Sequence, residues 1–194
     1  MYLQNPVTDL QQHFSQGLQK VRNRLTPSTQ ALLILQLLNR PTQDEWSPSV
    51  DAAALGYTPM TATRAIRELV EAELAEVVLV GRSKHLRLMH PREDVWNKAK
   101  NFMRTPVKRL VWVRDKLVLK SSDIRLSGLS GLSERTMLSS PRELSFAITA
   151  EQWREALLQG AEEIPRPEEG AYQLEIWAYS PSMVANSKTV DPLS

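Results

Sequence analysis

The sequence predicts a mixed α+β protein, and three features of the chain carry this prediction. A cap residue followed by proline occurs at 26–27, 47–48 and 58–59, and each pair is typical of a helix start. Two apolar, strand-like segments follow the third pair, at 75–80 and 85–89. The second half of the chain then alternates further strand and helix patterns. Helices and sheets are therefore expected in both halves.

Length and composition limit the classes of protein to which the chain can belong. It has 194 residues, of which 42% are hydrophobic and 24% charged, enough for one large core or two small ones. Cysteine is absent, which excludes a disulfide framework, a thiolate zinc site and a cysteine nucleophile. The longest fully apolar run, Ala31–Leu35, is too short to span a membrane, and the first ten residues lack a signal-peptide pattern. We expect a cytoplasmic protein that does not enter a membrane.

The net charge of +2 conceals an asymmetry between two parts of the chain. Residues 1–120 contain 18 Lys and Arg against 11 Asp and Glu, a net charge of +7. Residues 121–194 contain 6 against 11, a net charge of −5. A basic front could meet a polyanion such as DNA. Ordinary solvated charge is the alternative, and composition alone does not choose between the two.

Four helices and a β-hairpin are predicted in the first 90 residues. The helices are expected at 7–25, 26–38, 47–55 and 58–74. The tight turn at Gly56-Tyr57 gives the last two a helix-turn-helix outline. The two strand-like segments after them flank the short basic loop Gly81–Lys84, which is typical of a hairpin. A helix-turn-helix followed at once by a hairpin with a basic tip is the winged-helix layout.

Residues 26–90 resemble the MarR-like winged-helix regulators of bacteria. The matching parts are the order of the elements, the segment Leu55–Val70 and the strand pair that follows it. The resemblance implies a transcriptional regulator that binds double-stranded DNA in a sequence-specific manner. In these regulators flanking helices form a dimer interface, so residues 7–25 and 91–104 are the candidate contacts of a homodimer. The alternative is that both helices only cover the core.

The predicted recognition helix, 58–74, has an apolar side and a polar side. At 100° per residue, Ala62, Ile66, Leu69 and Val70 fall on or beside the side expected to pack on the first helices. The polar side has hydroxyls and arginines in its first half and acids, among them Glu68, in its second. The residues of this helix expected to contact DNA are Thr58, Met60, Thr61, Thr63, Arg64 and Arg67.

Each predicted contact has a chemical role. Arg64 could bind guanine through two hydrogen bonds, Thr61 a base edge or a thymine methyl group, and Arg67 a phosphate. The predicted wing, 81–87, contributes backbone or minor-groove contacts from Arg82, Ser83, Lys84 and Arg87. As an alternative, Arg64 with Glu68 and Arg67 with Glu71 form ordinary surface salt bridges at i,i+4 spacing. Winged-helix modules also serve as protein-interaction domains without touching nucleic acid.

A second, smaller α+β domain is predicted from residue 105 to 194, after a winged-helix domain with flanking helices at 1–104. Strands are expected at 108–113, 116–119, 144–148 and 172–179, helices at 127–138 and 150–158, and a rigid acidic loop at 162–170. The chain stops soon after the last strand pattern, which suggests a piece of a longer protein. Such a domain would sense a small-molecule effector or bind a protein partner.

The segment Leu126–Leu138 is similar to the Ser-x-Leu-Ser-Ala-Leu helix of AbiEi-type antitoxins, from which it departs at Gly131 and beyond Leu132. Those proteins place a winged helix before an α+β domain. The resemblance implies, as the alternative function, an antitoxin or adaptor that neutralises a partner through residues 105–194. A serine, glycine and leucine repeat is also typical of a closely packed helix.

No catalytic pattern stands out in the sequence. Of the three histidines, His85 and His90 lie five apart on one predicted strand, so their side chains point to opposite faces and cannot share a metal. The glycine patterns that bind phosphates or dinucleotides are missing. Glu175 offers a carboxylate on a strand, but Trp177 stands where a metal-dependent nuclease needs lysine. We therefore expect a protein that is not an enzyme and needs neither metal nor cofactor.

Overall fold

The computed structural model describes residues 24–39, 45–114, 124–183 and 187–193. In these ranges the chain forms six helices and eight strands in two sheets, which confirms the mixed α+β class. The predicted strand at 116–119 lies outside the described residues, as does the predicted helix at 7–25 except for its last two positions.

Four helices and a three-stranded antiparallel sheet form the first unit. Its elements are α1 (Pro27–Asn39), β1 (Glu45–Trp46), α2 (Pro48–Ala54), α3 (Pro59–Glu71), β2 (Ala75–Val80), β3 (Ser83–Leu88) and, after the sheet, α4 (Arg92–Ala99). The strand order is β1-β3-β2. The two-residue strand β1 was not predicted. It adds to the free side of β3, pairing Glu45 with Arg87 and Trp46 with Leu86.

The core of this unit forms around α1, which is apolar on nearly every side. Leu33 and Leu37 pack with Trp46, Leu69 and Leu86, whereas Leu32 packs with alanines of α2 and α3. Helix α4 also joins this core, because Val95 and Ala99 are buried in it. Helix α4 therefore covers the core. This is the alternative that the sequence offered to a dimer contact for residues 91–104.

A five-stranded mixed sheet forms the second unit. Its elements are β4 (Val107–Val113), β5 (Arg125–Leu126), α5 (Gly128–Ser133), β6 (Ser145–Thr149), α6 (Ala150–Leu158), β7 (Glu163–Ile164) and β8 (Tyr172–Trp177). The strand order is β5-β6-β8-β4-β7, and only β6 and β8 run parallel. Helix α6 begins with a capping box, in which Thr149 and Gln152 exchange hydrogen bonds between side chain and backbone.

Two predictions for this unit are wrong. The segment 162–170, predicted to be a loop throughout, contains β7, which pairs with β4 at the sheet edge. The helix predicted over 127–138 ends at Ser133. Beyond that point Arg135 donates hydrogen bonds to the Thr189 hydroxyl at 2.7 Å and to the Val190 carbonyl at 3.1 Å. Just after the helix ends, the chain is therefore bonded to residues more than fifty positions away. Local spacing in the sequence does not reveal such a contact.

Residues of the two units share a hydrophobic cluster. Ala31 and Ile34 of α1 pack with Ala147, Trp177 and Tyr179 of the second unit. Beside this cluster the Gln30 side chain is 2% exposed and bonds to backbone groups of Arg104. The helix that forms the centre of the first core therefore also contacts the second.

Residues 187–190 line the outer edge of β5. The Leu126 N–H donates to the Lys188 carbonyl, and the Val190 N–H donates to the Leu126 carbonyl, each at 2.9 Å. Thr189 forms a parallel bridge with Leu126. Leu193, a few residues further, packs against hydrophobic clusters of both units.

Candidate nucleic-acid interface

The first turn of α3 is fixed by a side-chain cap. The Thr58 hydroxyl accepts a hydrogen bond from the Thr61 N–H at 3.3 Å, and Pro59 occupies the position where a missing N–H costs nothing. Ala62, Ala65 and Leu69 are buried on the side of α3 that faces the core. The opposite side of α3 therefore has a defined orientation towards solvent.

The predicted contact residues of α3 lie together on its first turns. Met60 is 74% exposed, and Thr63, Arg64 and Arg67 are also exposed, while Thr61 is half-buried. The Thr63 hydroxyl donates to the Pro59 carbonyl at 3.1 Å. Arg64 has neither a hydrogen bond nor an ion pair with any residue that the structure describes. Its guanidinium is therefore available to an anionic or hydrogen-bonding ligand.

Two details of α3 correct the sequence prediction. Glu68 is half-buried and accepts hydrogen bonds from the N–H and the hydroxyl of Thr26, at 2.8 and 3.0 Å, just before α1. The predicted Arg64–Glu68 pair is consequently wrong. Val70, predicted on or beside the packed side, is 39% exposed. The predicted Arg67–Glu71 pair is present but loose, at 3.9 Å, with both side chains more than two-thirds exposed.

The helix ends in a left-handed turn at Glu73. Glu73 has a φ of 52°, and the Leu74 N–H donates to the Leu69 carbonyl, as in a Schellman motif. The Lys98 ammonium lies 2.8 Å from the Glu73 carboxylate. Their hydrogen bond and the charge of Lys98 lower the pKa of Glu73. This carboxylate is thus paired with a cation of α4.

The hairpin tip presents two further cations. Gly81, at a φ of 62°, and Arg82 form the two-residue turn, because Val80 pairs directly with Ser83. A positive φ at the first turn position alone is the type II′ pattern, which explains the glycine. Ser83 and Lys84, predicted in the loop, are the first residues of β3. Arg82, Ser83 and Lys84 are all exposed, and neither cation has an ion-pair partner in the described ranges.

Arg87, the fourth predicted wing contact, lies further along β3 in a different setting. Its guanidinium forms an ion pair with Glu45 of β1 and another, at 3.5 Å, with Glu76 of β2. Both carboxylates stand opposite Arg87 in the register of the sheet. Two acids thus offset its charge. Sequence reasoning missed this network because β1 is too short to show a strand pattern.

The part of the chain that the structure describes shows no group of three histidine, aspartate or glutamate side chains placed to hold a metal ion. None of its helices is both long enough and apolar enough to cross a membrane.

Comparison with protein-family models, with curated proteins and with solved structures gives no match to this chain. The resemblances to MarR-like regulators and to AbiEi-type antitoxins therefore remain predictions from the sequence.

Proposed function

We propose that the chain is a winged-helix transcriptional regulator that binds double-stranded DNA, with α3 in the major groove and the β2–β3 hairpin as the wing. The observation that carries this proposal is the set of exposed cations Arg64, Arg82 and Lys84, which have no acidic partner among the described residues. Unpaired surface cations on two adjacent elements are what a phosphate backbone and a groove require.

The first turns of α3 supply the reading groups in this proposal. Arg64 can donate two hydrogen bonds to guanine, and Met60 and Thr61 offer methyl groups or a hydroxyl to a base edge. Thr58 and Thr63 are engaged within the helix, so their contribution is to its first turn. Arg67, Arg82, Ser83 and Lys84 would contact phosphates or the minor groove. A homodimer would place two such helices on successive half-sites.

Titration of fluorescent duplexes tests this function. The protein is added at several salt concentrations to a duplex of random sequence and to a duplex from upstream of its own gene. The proposal expects binding that weakens with salt and that favours the upstream sequence, because phosphate contacts release counterions and base contacts select sequence. Absence of binding even at low salt would contradict it.

A second candidate function is supported by an apolar surface on the second unit. Leu129, Leu132, Met137 and Leu138 are all exposed on α5 and the segment after it. Four exposed apolar side chains within ten residues of the chain make this segment a candidate for protein interaction. We propose as the alternative an antitoxin or adaptor that neutralises a partner through residues 105–194. Purification from the native cell would show a stoichiometric partner that a Leu129→Lys variant loses, whether or not the protein also binds DNA.

A further inference from the structure

A cavity of about 190 Å³ lies between the turn that precedes α3 and the second sheet. The first unit contributes Ala31, Leu55 and Tyr57, and the other lining residues come from β4, from the β6–α6 junction and from residues 177–183. The cavity therefore brings together side chains that are far apart in the sequence. It is separate from the cations of α3 and the hairpin, none of which lines it.

The walls of the cavity are mainly aromatic and apolar. Trp177 and Tyr179 form an edge-to-face pair with ring centroids 5.7 Å apart. The Trp177 N–H donates to the Glu175 carboxylate at 2.9 Å, and the Gln30 amide donates to the Tyr179 hydroxyl at 3.3 Å. These hydrogen bonds hold both rings in place. A flat, apolar body would find preformed aromatic surfaces here.

The charge of the lining has one sign only. Lys108 is the single charged residue among the eleven that line the cavity. Its side chain is exposed, and within the described ranges no carboxylate pairs with it. Tyr57 adds a phenol whose pKa is raised by burial, so that it stays a protonated hydrogen-bond donor. One ammonium and one hydroxyl beside apolar walls favour a single negative charge on the ligand.

We propose that this cavity binds a small organic carboxylate with a flat apolar body, whose charge is held by Lys108. The volume is below the range of about 300–1,000 Å³ that is typical of pockets for drug-sized ligands. The ligand is therefore no larger than a single substituted ring. Binding at this site does not depend on the proposed function, because it requires no DNA.

Ligand-observed NMR with the whole chain tests the proposal, with benzoate as the probe and neutral benzamide as its match in shape. Benzoate is expected to bind at least fivefold more tightly than benzamide. Lys108→Gln should remove this preference and leave benzamide binding unchanged, because only the charge contact is lost. Lys100→Gln, which changes an exposed lysine outside the cavity, should bind benzoate as the unsubstituted protein does.

A second variant tests the location. Ala150 lines the cavity and is exposed at the first position of α6, so Ala150→Trp should fill the cavity mouth without disturbing a core. It should weaken benzoate and benzamide alike, while circular dichroism confirms an unchanged fold. The proposal is overturned if benzoate does not bind at about 10 mM, if the unsubstituted protein binds both probes equally, or if Lys108→Gln or Ala150→Trp binds benzoate as tightly as the unsubstituted protein. These results concern ligand binding in the absence of DNA, so they leave the DNA titrations to be judged separately.

Discussion

Arg64 and Lys84 carry the same charge but would contact DNA differently in the proposed complex. Arg64→Ala should cost about 1–3 kcal/mol of binding free energy on the preferred sequence and relax the preference at one base pair. Lys84→Ala should weaken binding to all duplexes alike and lower the slope of log affinity against log salt by about one. Titrations of both variants against matched and mismatched duplexes measure the difference. Unchanged binding by both variants would contradict the assigned interface.

Arg87 provides a control of the same charge on the same hairpin. Because Glu45 and Glu76 already offset its charge, Arg87→Ala should change the salt slope less than Lys84→Ala does. The lost ion pairs are exposed, so the free energy of unfolding should fall by no more than about 1 kcal/mol. A salt slope reduced as much as in Lys84→Ala would show instead that Arg87 reaches the phosphates.

Helical periodicity alone predicted the exposure of Met60, Thr63 and Arg64. It failed at Glu68, because the half-buried carboxylate meets Thr26, 42 residues earlier in the chain. It could not show the setting of Arg87 either, because Glu45 belongs to a strand of two residues. The spacing of apolar residues predicts which face of a helix a side chain occupies. It does not predict a partner that lies far away in the sequence.

Among the elements, α1 and α3 are joined by the hydrogen bonds between Glu68 and Thr26. Glu68→Ala removes both bonds and a negative charge near the start of α1, where the helix dipole favours one. We expect a loss of about 1–2 kcal/mol in the free energy of unfolding, measured by urea denaturation. Glu71→Ala, which removes only a loose exposed pair, should change it by less than about 0.5 kcal/mol. Equal effects of the two substitutions would argue against this role of Glu68.

Helix α5 depends on the absence of a side chain at Gly131. A Cβ there would lie 2.8 Å from the Leu126 carbonyl oxygen, which belongs to β5. Because Gly131→Ala forces α5 and β5 apart, it should lower the free energy of unfolding by about 1–3 kcal/mol, measured by urea denaturation. Leu129→Ala, on the exposed side of the same helix, should stay within about 0.5 kcal/mol. A stable Gly131→Ala variant would mean that the two elements can separate without cost.

Cap residues and prolines predicted the starts of α2 and α3 to within one residue of the structure. Apolar alternation, which predicts strands, missed β1, β5 and β7, each of two residues. Strands this short contain less than one full alternation, so their pairing depends on the neighbouring strand. Their existence is a tertiary property, which local pattern does not reveal.

At the scale of the whole molecule, Gln30 of α1 connects the two units, because its amide donates to the Tyr179 hydroxyl at 3.3 Å. Its amide donates to the Arg104 carbonyl at 2.9 Å and accepts from the Arg104 N–H at 3.1 Å. Gln30→Ala should cost about 1–3 kcal/mol, because these backbone groups lose a partner in a partly buried place. Hydrogen exchange of both units should then rise together, since they share a hydrophobic cluster. Gln159→Ala, at the exposed end of α6, is the control and should have no measurable effect.

The sequence predicted a second domain from residue 105, where the Thr105-Pro106 pair precedes a new series of strand and helix patterns. It did not show that Ala31 and Ile34 of α1 would pack against Trp177 and Tyr179. The apolar character of α1 on nearly every side was the available sign, because a helix buried all round needs neighbours on all sides. Which neighbours these are follows only from the packed structure.

The pairing of Leu126 with residues 187–190 has a consequence for synthesis on the ribosome. Roughly 60 residues separate the two partners, which at about 5–20 residues per second takes on the order of 3–12 s. During that interval the outer edge of β5 offers unpaired N–H and C=O groups on the nascent chain, and such edges readily pair with other chains. Codon usage that slows translation between these partners would lengthen the interval and lower the yield of soluble protein.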